Sequence, residues 1–137
     1  SVTCDILIRS TRTNKVYSFE LKGPQPNSDQ TKVSKEKIFK LLAMQKHPVD
    51  FAYYALPYNP YGKKENYAWS FPARWFDMKH DSCVLIGEEL WNLIGGDGTY
   101  KIFIEELNKL GIFYKEKIYR DFLGIEPPSN FEKGILR

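Results

Sequence analysis

The chain has 137 residues and a mass of 16.0 kDa, with 42% hydrophobic and 27% charged residues. These values indicate one globular domain over residues 1–137 that can bury its own core, and they exclude disordered, collagen-like and coiled-coil chains. No apolar run is long enough to span a membrane. Cys4 and Cys83 are isolated, which excludes a disulfide scaffold or zinc ribbon and favours a reducing, cytoplasmic location. Because Ser1 opens the chain at the edge of a predicted strand, we expect a fragment incomplete at its N-terminus.

The net charge of +3 hides a gradient along the chain. Residues 1–80 carry thirteen Lys and Arg against seven Asp and Glu, whereas residues 81–137 carry seven against ten. Basic residues gathered in one half indicate an anionic partner there. A solvated lysine face would explain the same asymmetry.

The first half of the chain predicts strands around one helix. CDILIRS and VYSFELK alternate at period two and are joined by residues 11–14, which predicts a β-hairpin. A helix follows, capped by Ser28 or Ser34 and ending before Pro48. Residues 49–56 predict a buried strand, 57–64 a loop, and 67–71 another strand. The helix's predicted apolar stripe comprises Val33, Ile38, Leu41, Leu42 and Gln45.

The second half predicts one short strand and then helices. The strand covers residues 84–86, and helices are expected over 88–94, 100–110 and 114–123, each ended by a glycine. Strands followed by helices in this order predict an α/β domain with a mixed sheet flanked by helices and a helical C-terminal third.

The predicted hairpin sorts its side chains onto two faces. If the turn centres near residues 12 and 13, position 5 lies opposite position 20. Because the side-chain period is two, one face is apolar and forms the core side. The other face brings Asp5, Glu20 and Lys22 together. The apolar face holds Cys4, Ile6, Ile8, Tyr17, Phe19 and Leu21, and the other also holds Thr3, Leu7, Arg9, Val16 and Ser18.

Two carboxylates on neighbouring strands repel each other unless a cation lies between them. Mg²⁺ takes oxygen ligands, so Asp5, Glu20 and the backbone carbonyl of Leu21 form a candidate metal site. Lys22 could orient or deprotonate an attacking water, or neutralise a phosphate. A metal with a lysine in basic surroundings suits phosphodiester hydrolysis, because negative charge develops on phosphorus and on the leaving oxygen.

Asp5 followed by Glu20-Leu21-Lys22 at the end of a hairpin resembles the PD-(D/E)xK nuclease pattern, with Cys4 in place of proline. More narrowly, SFELKGPQPNSDQTKVSKEKI and GEELWNLIGG resemble the TdeIII-type family of type II restriction endonucleases. The resemblance runs from about Cys4 to Glu126. It implies a restriction-endonuclease-like fold and Mg²⁺-dependent double-strand cleavage at a short, GC-rich palindrome such as GGNCC. It also implies an N-terminal helical segment that adds an acidic residue to the site.

Base and phosphate contacts are expected in and beside the loop after residue 57. Asn59, Lys63, Lys64 and Arg74 are the candidates, because Arg and Lys can bridge the O6 and N7 atoms of guanine. The lysines of the first helix, at positions 32, 35, 37, 40 and 46, face phosphate or solvent with about equal expectation. A palindromic site on double-stranded DNA implies a homodimer, since two-fold symmetry in the protein matches that of the DNA.

The sequence leaves other functions open. A truncated copy would bind DNA without cutting it, and a repair or junction-resolving nuclease would share the fold. A glycosidase with paired carboxylates is disfavoured by Lys22 and by the basic half. An ion-paired surface patch without function would explain the charges but not the family resemblance.

Overall fold

The fold is a four-stranded mixed sheet with helices on both faces. In the computed structural model, residues 1–128 are described. Its elements are β1 (Ile6–Arg9), β2 (Val16–Leu21), α1 (Ser28–Ala43), β3 (Phe51–Leu56), β4 (Val84–Ile86), α2 (Glu88–Gly95) and α3 (Thr99–Lys117). The strands lie side by side in chain order; β1 and β2 are antiparallel, and β3 and β4 continue parallel to β2. The α/β class with a mixed sheet is therefore confirmed.

The hairpin has the predicted register. Ile6 pairs with Phe19 and Arg9 with Val16, and the Asp5 N–H extends the ladder by donating to the Phe19 carbonyl over 3.1 Å. Its turn is closed by the Asn14 N–H, which donates to the Ser10 carbonyl over 2.8 Å. Asn14 has a left-handed φ of 59°, a conformation that asparagine tolerates better than most residues.

Both faces of the sheet are buried, whereas the sequence predicted only one core side. Phe19, Ala55, Leu85 and Leu90 form a cluster on one face, where α2 covers the sheet. The opposite face holds a larger cluster beneath α1. Parallel strands joined by helical crossovers receive helices on both sides, which explains the second core. That second cluster comprises Ile38, Ala52, Tyr54, Leu56, Tyr67, Phe76, Met78, Val84 and Ile86.

Helix α1 packs on the sheet through a more polar face than its sequence predicts. Asn27, rather than Ser28 or Ser34, is its N-cap, and its side-chain oxygen accepts from the Gln30 N–H over 2.8 Å. Thr31, Ser34, Ile38 and Leu41 are buried, whereas Val33 and Leu42 of the predicted stripe are exposed. Thr31 can be buried because its hydroxyl bonds to the Asn27 carbonyl at 2.7 Å and to the Tyr54 hydroxyl at 2.9 Å.

The strand predicted over residues 67–71 is wrong. This region contains two 3₁₀ turns, Lys64–Asn66 and Phe71–Arg74. Tyr67 is buried and Trp69 half-buried, because their polar ends hold the loop that follows β2, whereas Phe71 is exposed. The Tyr67 hydroxyl donates to the Pro24 carbonyl over 2.8 Å, and the Trp69 indole N–H donates to the Pro26 carbonyl over 2.9 Å.

The C-terminal helices differ from their predicted bounds. Helix α3 continues through Gly111 and passes into a π turn over Ile118–Phe122, and the chain leaves helical geometry before Gly124, whose φ is +65°. Gly111 has no positive φ, so it continues the helix rather than capping it. Several apolar side chains on this end are exposed, Phe122 by 82%. In the part of the chain that the structure describes, no helix has the length and apolar character needed to cross a bilayer.

Asp50 joins the start of β3 to the hairpin and should make stability depend on pH. Its carboxylate accepts from the Val16 N–H over 2.8 Å and lies 3.3 Å from the Lys15 ammonium. The Val16 N–H, and then Lys15, hold the pKa of Asp50 below its ordinary value of 3.8. The stability that Asp50 contributes should therefore be complete above about pH 4 and disappear as the pH falls through the pKa of the folded state.

We expect Asp50→Asn to lower the free energy of unfolding at neutral pH, because the amide accepts the Val16 N–H more weakly and carries no charge. The difference from the unsubstituted protein should shrink in acid, as urea unfolding at a series of pH values would show. Asp97→Asn, at an exposed position, is the matched control. A difference that stays constant below about pH 3 would contradict this role for the ionised carboxylate.

Candidate functional site

The hairpin brings Asp5 and the Glu20-Leu21-Lys22 segment together at the end of β2. Asp5 is exposed, and its Oδ2 accepts from the Leu21 N–H over 2.7 Å. This bond crosses from the segment before β1 to the last residue of β2, so it fixes the Asp5 carboxylate beside the Glu20-Leu21 peptide. The juxtaposition follows from the register, since a slip of one residue would place the two acidic side chains on opposite faces.

Glu20 is buried, with only 1% of its side chain exposed. Its carboxylate lies between two lysines: Lys37 Nζ is 3.2 Å from Oε2 and 3.4 Å from Oε1, and Lys22 Nζ is 4.0 Å from Oε2. A carboxylate removed from water needs such partners, because burying it alone costs several kcal/mol. The site is thus more enclosed than the open sheet face that the sequence suggested.

Lys22 extends β2 by one residue. Its N–H donates to the Ala55 carbonyl over 3.0 Å, which binds this position to β3. Its Nζ donates to the Leu21 carbonyl over 3.1 Å. The ammonium group therefore lies beside the Leu21 carbonyl that the sequence proposes as a metal ligand, and near the Glu20 carboxylate.

The donor set fits a hard cation that retains water. It consists of two carboxylates and one backbone carbonyl, all oxygen ligands, and Mg²⁺ is commonly bound by one or two carboxylates with water filling the remaining positions. Among residues 1–128 there is no group of three or more His, Cys, Asp or Glu side chains arranged to hold a metal. A transition-metal centre built from such side chains is therefore not seen in this part of the chain.

The pKa of the Cys4 thiol is affected by the negative charge of the site. Partial burial raises the pKa of its thiol, and the nearby carboxylates of Glu20 and Asp5 raise it further. Cys4 and Cys83 are both free thiols. The protonated form is thus favoured beside the two carboxylates.

The four side chains predicted to contact DNA differ in exposure. Asn59 is buried and its Oδ1 accepts from the Tyr61 N–H over 2.9 Å. Lys64 is also enclosed; its Nζ donates to the Asp81 and Val84 carbonyls over 2.9 and 2.7 Å and lies 3.3 Å from Glu89. Lys64 is thus engaged inside the protein in this conformation, whereas Asn59 is bound through its oxygen and its Nδ2 is buried without a hydrogen-bond partner. Lys63 and Arg74 are exposed, and the Arg74 guanidinium lies 5.3 Å from the Trp75 ring centre.

Lys37 is the site residue that the sequence did not single out. It is one of five lysines of similar appearance in and just after α1, and the pattern did not indicate which of them points to the sheet. Its position three residues after the buried Ser34 and four before the buried Leu41 gives a partial signal, because this spacing places side chains on the same face of a helix. The partner could be identified only once the crossing of α1 over β2 was known.

Comparison with known proteins agrees with the geometry. Residues 1–111 match the model of the family "Type II restriction endonuclease, HinfI". The chain is 27% identical to the type II restriction enzyme HgiCII and 29% to HgiEI, both from Herpetosiphon aurantiacus, over 89% of its length. It is 30% identical to MjaII of Methanocaldococcus jannaschii over 88% of its length. These matches cover 45%, 44% and 35% of the three relatives, so the chain spans less than half of their length. No solved structure gives a significant match.

The chain belongs to the HinfI family of type II restriction endonucleases. The match extends over both strands of the hairpin and includes Asp5, Glu20, Leu21, Lys22 and Lys37. The resemblance to a restriction endonuclease family is confirmed, while the narrower TdeIII-type and PD-(D/E)xK assignments remain predictions.

Lys63 is exposed, whereas Lys64 is hydrogen-bonded inside the protein, and this difference can be tested through the contribution of each lysine to stability. Lys64→Met should lower the free energy of unfolding by about 1–3 kcal/mol, since it removes the ammonium from which both carbonyls accept and leaves the Asp81 carbonyl with the Val84 N–H. Lys63→Met should change it by less than about 0.5 kcal/mol, as is usual for an exposed position. Urea unfolding of the two single variants makes the comparison. Equal losses would show that the Lys64 contacts contribute nothing specific to stability.

Proposed function

We propose that this chain carries the catalytic centre of a type II site-specific endodeoxyribonuclease that makes Mg²⁺-dependent double-strand cuts. The supporting observation is the convergence of Asp5, Glu20 and Lys22 at one end of the hairpin, in a chain that belongs to a restriction endonuclease family. A PD-(D/E)xK centre would use these two carboxylates, the backbone carbonyl between Glu20 and Lys22, and the lysine.

In this proposal Asp5, Glu20 and the Leu21 carbonyl hold the cation. When bound, Mg²⁺ supplies positive charge that stabilises the oxygens gaining negative charge during phosphodiester hydrolysis. The protein fixes the ligands before DNA arrives: the Leu21 N–H orients Asp5, and β3 holds the backbone of Lys22. Lys22 is then placed to orient an attacking water as an ammonium, or to accept the proton of that water when it is a neutral amine. Because the backbone of Lys22 is fixed by β3, only its side chain has to move to meet the water.

The proposed DNA surface includes two exposed cations from the region between β3 and β4. Lys63 and Arg74 are free to reach phosphate or base edges, and Arg74 shares the Trp75 ring with Lys32, whose Nζ lies 5.7 Å from its centre. Sequence-independent phosphate contacts by such groups provide much of the affinity for DNA. Asn59 and Lys64, which are engaged inside the protein, are not assigned this role.

The substrate we propose is double-stranded DNA with a short GC-rich palindrome, and GGNCC is the sequence to test first. This specificity rests on the resemblance to the TdeIII-type family. We propose a homodimer, because a palindrome presents the same half-site twice. The exposed apolar side chains of α3 and of the π turn after it offer surface for association, either with a second copy or with another part of the polypeptide.

Substitutions at the three site residues test the catalytic assignment. In the protein at its natural length, Asp5→Asn, Glu20→Gln and Lys22→Ala should each reduce plasmid cleavage in Mg²⁺ by about 10²-fold or more, because each removes one part of a single catalytic unit. Combining two of them should add little further loss. DNA binding should survive in all three, since phosphate contacts elsewhere supply the affinity.

Glu65→Gln is the matched control, because it removes an exposed acidic side chain from outside the site. If Asp5→Asn and Glu20→Gln both cleave at the unmodified rate, the metal site lies elsewhere. If the unsubstituted protein binds DNA with salt-sensitive affinity but gives no Mg²⁺-dependent products, it is a binding module. Preferential cleavage of branched DNA would favour a repair or junction-resolving nuclease.

Salt dependence tests the DNA surface. The logarithm of affinity should fall with the logarithm of salt concentration, by about 0.9 for each phosphate that is neutralised. Lys63→Ala and Arg74→Ala should each reduce this slope by about one unit. Lys101→Ala, on the exposed side of α3, should leave it unchanged. Fluorescence anisotropy at several salt concentrations would measure the slopes, and an unchanged slope for either variant would remove that residue from the interface.

A further inference from the structure

The Glu20 carboxylate has both of its oxygens directed at one ammonium group. Lys37 Nζ lies 3.2 Å from Oε2 and 3.4 Å from Oε1, so it occupies the position between the two oxygens. A divalent cation bound by both oxygens of this carboxylate would need the same position. Lys37 is therefore the side chain whose placement conflicts most directly with cation binding at Glu20.

Helix α1 holds the backbone of Lys37 in place while leaving its side chain able to move. Ser34, Ile38 and Leu41 are buried around it, and the Thr31–Tyr54 hydrogen bond fixes the helix to β3. The Lys37 side chain is 34% exposed, whereas that of Glu20 is 1% exposed. Lys37 can thus turn its ammonium into solvent without any rearrangement of the fold. The Glu20 carboxylate is buried and cannot move into solvent in the same way.

A cation and an ammonium cannot share these oxygens closely, because like charges a few ångströms apart repel strongly in a partly buried site. Without either of them, the buried carboxylate would keep, among the cations of residues 1–128, only the more distant Lys22, at 4.0 Å. Lys22 is also directed to the Leu21 carbonyl, along the strand. Lys37 must therefore supply the close positive charge that the Glu20 carboxylate needs whenever no cation is bound.

We propose that Lys37 is a positioning residue that acts as an exchangeable counter-ion: it holds Glu20 in place before the cation binds, and the cation displaces it. This inference rests on the proposed function, since it takes Glu20 as a cation ligand. It makes the stability of the metal-free protein and its affinity for Mg²⁺ depend on the same side chain in opposite directions. Lys37 thereby keeps the site folded in the absence of metal. Because it competes with the cation for Glu20, it also weakens cation binding.

Lys37→Met separates the two effects, with Lys40→Met as the matched control on the exposed surface of the same helix. In EDTA, Lys37→Met should lower Tm by roughly 5–10 °C, because it leaves a buried carboxylate with one distant partner. Mg²⁺ should restore most of this loss. Isothermal titration with Mg²⁺ alone should show affinity higher by about tenfold, since no ammonium competes. Lys40→Met should match the unsubstituted protein in both measurements.

Lys37→Arg provides a second variant that keeps the charge and tests the same competition. A guanidinium can hold both carboxylate oxygens through two parallel hydrogen bonds, more tightly than an ammonium. We therefore expect a Tm in EDTA at or above that of the unsubstituted protein, and Mg²⁺ affinity lower by several-fold. If Lys37→Met does not fold, this variant still decides the matter through its Mg²⁺ affinity.

The outcomes distinguish this inference from the proposed function. If the unsubstituted protein cleaves DNA and binds Mg²⁺, but the Met and Arg variants bind it with unchanged affinity, Lys37 is no counter-ion of the cation site and only this inference fails. An equal loss of stability in Lys37→Met with and without Mg²⁺ would likewise overturn this inference alone. If Glu20→Gln leaves both Mg²⁺ binding and cleavage intact, the metal site is elsewhere and the proposed function fails as well.

Discussion

The buried carboxylate of Glu20 is the constraint on which the rest of the site depends. It lies on β2, which has β1 on one side and β3 on the other, beneath the face that α1 covers. A charge in that position is tolerated only with close partners of opposite sign. Lys37 on α1 and Lys22 at the end of β2 supply them, so the packing of α1 and the electrostatics of the site determine each other.

The part of the site that lies within the hairpin could be predicted from sequence. Alternating apolar and polar residues fix which side chains share a face, and a turn of known length fixes the register, so Asp5 and Glu20 are placed together by local rules. The cover over Glu20 could not be predicted in this way. The buried face of α1 includes Thr31 and Ser34, and the burial of Thr31 depends on a hydrogen bond to Tyr54, a residue that only the folded chain brings near. The hydrophobic periodicity of the sequence does not identify such hydrogen-bond partners.

The strand wrongly predicted over residues 67–71 has the same origin. Tyr67 and Trp69 alternate as in a strand, yet they serve to anchor the carbonyls of Pro24 and Pro26, more than forty residues earlier in the chain. Asn59 and Lys64 have the composition of a DNA-binding loop, yet the Lys64 ammonium satisfies two carbonyls beside β4. In each case a polar atom that looks free in the sequence is used to complete hydrogen bonding in the fold, because buried carbonyls require donors.

The chemistry around Glu20 also bears on which cation the proposed site would take. Asp5, Glu20 and the Leu21 carbonyl offer oxygen ligands, and within residues 1–128 no third His, Cys, Asp or Glu side chain joins the two carboxylates to form a metal site. Such a set of ligands favours a hard cation of the Mg²⁺ type over a thiophilic one. Burial raises the pKa of the Cys4 thiol, and the negative charge of Glu20 and Asp5 raises it further, so the same two carboxylates disfavour a thiolate at this end of the hairpin.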